Sequence, residues 1–123
     1  MSPVAIDSKQ LIKDYFQAMS SQPKTEELMN RFITDPGLKE HIRQCSAAFP
    51  DYEVIPQQMV AEGDTVAVRC TFHGIHKGEF AGIPATGRPA SSDFMIFYRI
   101  EDGRIAEHWI TISWQDIVSQ LTA

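Results

Sequence analysis

A chain of 123 residues with 43% hydrophobic and 22% charged side chains has room for one domain, with a core that needs neither metal nor disulfide, and no apolar run approaches the length of a membrane span. Its 11 basic against 16 acidic residues give a net charge of −5 with no basic cluster, which argues against nucleic acid and anionic membrane as partners. The N-terminus has neither a basic segment nor a long apolar stretch, so a cytoplasmic protein is expected.

The chain opens with helical signals. Asp7 and Gln10 have capping-box spacing, and Leu11, Ile12, Tyr15, Phe16 and Met19 then recur at steps of three and four, predicting a first helix with one apolar stripe. A second, short helix follows Gln22-Pro23, burying Leu28, Met29, Phe32 and Ile33 and stopping near Thr34. Asp35-Pro36 repeats the signal of a cap followed by a first-turn proline, and Leu38, Ile42, Cys45 and Phe49 form the stripe of a third helix before Pro50. His41 falls off that stripe, on the solvent side.

Strand signals take over at Tyr52. Tyr52 to Ala61 and Thr65 to His73 flank the turn Glu62-Gly63-Asp64, and Val66, Val68, Cys70 and Phe72 make one apolar face. Residues 78–87 are rich in Gly and Pro and predict a long connection, with His76 beside it in a turn-stabilising place. Ser91 to Ile100 and Arg104 to Ser113 form a hairpin through Glu101-Asp102-Gly103. The first of these strands is apolar on both faces, with Phe94, Ile96 and Tyr98 on one and Met95 and Phe97 on the other. A sheet covered on both sides is implied, by helices on one face and by the sheet of a second subunit on the other, so a homodimer is expected. A short helix from Gln115 to Leu121 ends the pattern. The fold class is therefore α+β, with N-terminal helices packed in a curved antiparallel sheet that forms a cone-shaped barrel around an internal pocket.

Cys45 and Cys70 form no CxxC pair and read as small buried hydrophobes. His73 and His76, three apart on a strand, point to opposite faces, so no metal site is expected.

The segments Phe49-Pro50-Asp51, Ala61-Glu62-Gly63-Asp64, Val68-Arg69, Gly74-Ile75-His76-Lys77-Gly78-Glu79-Phe80, Gly82-Ile83-Pro84-Ala85-Thr86-Gly87, Tyr98-Arg99, Asp102-Gly103-Arg104-Ile105 and Glu107-His108-Trp109 form a set that covers most of the chain from about Asp35 onward. Together they resemble the SnoaL-like polyketide cyclases, also called ester cyclases, within the nuclear-transport-factor-type cone superfamily that includes the ketosteroid isomerases. The resemblance implies one cone domain over residues 1–123 and ring closure of a polyketide ester with no metal or cofactor. It places the family's acid/base pair, a His and an Asp, at positions that here hold Ile96 and Ile110. Tyr15 matches the place of the isomerases' oxyanion tyrosine.

Strand parity puts His108 on the face of Ile110, which makes it the ionisable candidate for the pocket, as a base or a carbonyl donor. A core histidine bonded to a backbone carbonyl or to Asp93 is the alternative. Asp93 has the opposite parity and reaches the pocket as an orienting carboxylate only if a bulge intervenes. Tyr15 and Tyr98 are the phenolic donors, and Phe16, Phe32, Phe94, Ile96, Ile110 and Trp114 complete the expected ligand-binding wall, while Trp109 falls on the outer face.

The expected function is binding of a small apolar or aromatic carbonyl compound, with cofactor-free cyclisation or isomerisation. The alternative is a non-catalytic ligand carrier or assembly subunit, because Ile96 and Ile110 cannot move a proton.

Overall fold

Proline, not aspartate, opens the first helix of the computed structural model, which describes residues 3–122. α1 runs Pro3–Met19. Proline fits the first helical turn, where its missing N–H would have no partner, so the chain enters the helix ahead of Asp7. Asp7 thus lies inside the helix instead of capping it, and Gln10 Nε2 donates to Asp14 Oδ1 at 2.9 Å in place of a capping box. The expected stripe is buried at Ile12, Tyr15, Phe16 and Met19. Ser8 Oγ donates to Gly63 O at 3.0 Å and ties α1 to the first strand turn.

α2 spans Glu26–Phe32 and starts later than the Gln22-Pro23 signal suggested. Thr25 is its cap, with extended backbone and an Oγ1 that accepts from Leu28 N at 3.1 Å. Beyond α2 the chain docks on the sheet. Ile33 bridges to Ile105, and the N–H groups of Thr34 and Asp35 both donate to Ile105 O, at 2.9 and 3.2 Å. α3, Pro36–Ala48, begins as its sequence predicts: Asp35 Oδ1 accepts from Gly37 N at 2.9 Å and Leu38 N at 3.3 Å.

Four antiparallel strands follow in spatial order β1 (Glu53–Glu62), β2 (Thr65–Ile75), β3 (Pro89–Glu101) and β4 (Arg104–Ile112), and α4 (Trp114–Thr122) closes the fold. On the inner face Val68 pairs with Ile96 and Ile96 with Ile110; Val66 pairs with Tyr98 and Tyr98 with His108. Each apolar side chain fully buried there contributes about 1.5–3 kcal/mol of transfer free energy.

Two register shifts bend the sheet, one between Pro56 and Gln58 on β1 and one between Arg99 and Ile100 on the β3–β4 pair. The second leaves Ala106 outside the ladder. Ile105 and His108, an odd three positions apart, therefore both turn inward.

α1 packs on β1 and β2, α2 on β4 and α4 on β3, whereas α3 makes no comparably close approach to any strand. That stand-off leaves the space described below. The connection after β2 is held tightly under α3. Lys77 N and Gly78 N both donate to Ala48 O, and a Cβ at Gly78 would fall 2.0 Å from Ala47 O. His76 is fully buried there, with Nδ1 accepting from Thr86 N at 3.1 Å. Among the described residues no helix is long and apolar enough to cross a membrane.

Candidate active site in the cone

Between α3 and the concave sheet lies a cavity of about 60 Å³, room for a handful of waters. An aromatic ligand would have to displace side chains to enter. Its helical walls come from Tyr15, Phe16 and Met19 of α1 and from Leu38, His41, Ile42 and Cys45 of α3. The sheet supplies Phe94, Ile96, Tyr98, Ile110 and Ile112, and Trp114 and Ile117 of α4 close one side. Trp114 remains 39% exposed, so it is the aromatic side chain of this wall best placed to yield.

Two phenols face each other inside the aromatic wall. The Tyr15 and Tyr98 rings stand 5.8 Å apart, edge to face, and both residues are buried. Desolvation pushes both phenols well above their ordinary range, so each stays protonated, and their hydroxyls hydrogen-bond to each other. Phe32 meets Tyr15 edge to face, 5.8 Å away, and belongs to the core without lining the cavity.

The histidine that reaches the cavity is His41. Its ring packs 5.7 Å from Trp114, and its Nε2 lies 3.7 Å from Cys45 Sγ. Burial, followed by the neighbouring charge of His108, lowers its pKa below the ordinary imidazole value, which favours the neutral base. The sequence expectation of a solvent-facing His41 therefore does not hold. Positions 38, 41 and 45 are spaced three and four apart, so His41 flanks the stripe and Trp114 covers it from α4. That spacing was the available signal.

His108 does turn to the inner face, yet it is not part of the cavity wall. Its Nδ1 is held 2.6 Å from Asp35 Oδ2, and the two side chains are only 17% and 13% exposed. Asp35 thus uses one oxygen to cap α3 and the other to fix an imidazole on β4. Asp93 is exposed on the outer face and accepts from Thr71 Oγ1 at 2.7 Å. No register shift interrupts the β2–β3 pairing around it, so it keeps its outward parity and does not orient His108. Lys24, from the α1–α2 loop, also lines the cavity and was not anticipated from the sequence.

Helices in the hollow of a curved antiparallel sheet, enclosing an aromatic cavity with an imidazole on its wall, define a cone-type α+β fold. The sequence profile of the SnoaL-like polyketide cyclase family matches residues 12–121, and the chain belongs to that family. Among solved structures it is similar to IdmH of Streptomyces antibioticus, a proposed polyketide cyclase. The two are 27% identical over 94% of this chain and 99% of that one, with a TM-score of 0.77. A proposed SnoaL-like polyketide cyclase from Jannaschia sp. CCS1 is 19% identical over 100% of this chain and 96% of its own, with a TM-score of 0.84. AclR of Streptomyces galilaeus, a proposed hydroxylase, is 24% identical over 96% of this chain and 82% of its own, with a TM-score of 0.81. The last two show the shared fold. No curated protein matches the sequence significantly.

Proposed function

We propose that this chain binds a small aromatic or apolar carbonyl compound in its cone and moves a proton on it without a cofactor. The observation that supports the reading is His41, a neutral imidazole on the wall of a largely apolar cavity that also holds two protonated phenols. His41 takes the proton from a carbon next to the ligand carbonyl, and the phenols of Tyr15 and Tyr98 stabilise the enolate oxygen. The imidazolium then returns the proton to another carbon, which is an isomerisation. Alternatively the enolate carbon attacks a second carbonyl of the same ligand, and the new alkoxide takes that proton, which closes a ring. The His108–Asp35 pair sets the charge beside His41 and acts on the reaction only through it.

Proton exchange is a direct test. In deuterium oxide the protein is expected to accelerate exchange of the methyl protons of aryl methyl ketones, followed by NMR, and His41→Gln is expected to lose the acceleration while still binding the ketone.

Binding without exchange in the unaltered protein would instead support a ligand carrier, a reading favoured by the direct pairing of Ile96 with Ile110 at the family's acid/base positions. We further take a cytoplasmic homodimer as the working form. Val60, Phe97 and Trp109 lie in one row across the outer sheet face, 58%, 49% and 53% exposed, with Met95 beside them at 56%.

A further inference from the structure

The α1–α2 loop is stitched to the start of β1. Ser20 Oγ accepts from Val54 N at 3.1 Å, Ser21 N donates to Tyr52 O at 3.2 Å, and Lys24 Nζ donates to the carbonyls of Gln22 and Tyr52, both at 2.8 Å. The ammonium also sits 4.2 Å from the centre of the Tyr52 ring. These contacts hold a half-buried cation at the wall of the cavity. An ammonium has three N–H donors, and two of them are occupied by the carbonyls.

No carboxylate lines the cavity among the described residues, and His41 favours its neutral form. The wall therefore presents one positive charge with a spare donor, opposed by Asp51 but by no carboxylate of the wall itself, in surroundings of low polarity where a charge-assisted hydrogen bond is stronger than at the surface. A neutral carbonyl oxygen accepts from that donor weakly; an anionic oxygen also offsets its charge and makes the stronger bond.

We infer that Lys24 anchors an ionised oxygen of the ligand, so that the cone selects carbonyl compounds bearing a carboxylate or comparable acidic group over neutral ones. This rests on the proposed use of the cavity for a small carbonyl compound and narrows its chemical class. Burial lowers the lysine to a pKa of about 8 against the opposing charge of Asp51, which leaves it mostly protonated at neutral pH.

The groups that face Lys24 are Asp51 beside it, Glu53 on Ser21, Tyr52 beneath it, and His41, Cys45, Tyr15 and Tyr98 in the cavity. Of these, His41 is shifted below its ordinary value, Cys45 is pushed up to about 11 and the three tyrosines are raised, so none of those shifts falls near pH 8.

Benzoate and acetophenone provide the test, because they share size and shape and differ in the charge of one group. Titration calorimetry at constant ionic strength is expected to give benzoate about tenfold tighter binding than acetophenone, the lower end of what a charge-assisted hydrogen bond supplies. Lys24→Met, which keeps most of the stem, is expected to abolish that preference by weakening benzoate binding far more than acetophenone binding. In the unaltered protein benzoate binding is expected to weaken above about pH 8 while acetophenone binding stays level; this arm decides the matter even if the variant does not fold. Equal affinities, a preference that survives Lys24→Met, or a benzoate affinity indifferent to pH would overturn the role of Lys24 and leave the cavity as a binding site. Binding of neither compound would overturn the cavity reading and this inference together.

Discussion

His108 Nδ1 lies 2.6 Å from Asp35 Oδ2, a bond between residues 73 positions apart that joins the start of α3 to β4. The same carboxylate accepts from two backbone N–H groups of the helix, so its removal leaves three donors without their acceptor. Asp35→Ala is expected to cost about 1–3 kcal/mol, the range of a lost cap with a buried partner left unpaired. His108→Ala is expected to cost less, because it leaves the cap intact. Urea denaturation of both single variants and the double variant measures the coupling, and full additivity would show that the pair contributes nothing jointly.

His41 makes stability depend on pH on the acid side. Its folded pKa lies below the ordinary 6.5, so between the two values the unfolded chain binds more protons than the folded one. Stability from this group is thus complete above pH 6.5 and declines as the pH falls toward the folded value. His41→Gln is expected to flatten that part of the stability curve, and an imidazole NMR titration with a midpoint at or above 6.5 would contradict the assignment.

The outer sheet face gives a third expectation. Phe97 and Trp109 are cross-strand partners and both are about half exposed, so a matching face on a second copy would bury them together. Light scattering is expected to show a dimer, and Phe97→Glu combined with Trp109→Glu is expected to give a folded monomer. A monomer before any substitution would remove the dimer from the reading.

Local signals account for much of this architecture. Asp35-Pro36 announced α3, the alternation of Val66, Val68, Cys70 and Phe72 announced β2, and Glu101-Asp102-Gly103 announced the β3–β4 turn, because caps, pleat and turns depend on near neighbours. Helix entry was less legible. Pro3 displaced Asp7 and Thr25 displaced Pro23, since several residues in each stretch can begin a helix and only the local backbone path selects one.

The candidate site divides in the same way. Strand parity by itself determined that Phe94, Ile96, Tyr98 and Ile110 share the inner face, and it held because no register shift falls within those stretches of β3 and β4. Tertiary structure decided the ionisable groups. The bond of His108 to Asp35, the turn of His41 toward Trp114 and the stitching of Lys24 onto Tyr52 all join elements distant in the chain. Alternation and capping act over a few residues and are written in sequence, whereas the partner of a charged or titratable side chain is whatever group the packed elements bring within about 3 Å, which no local pattern encodes.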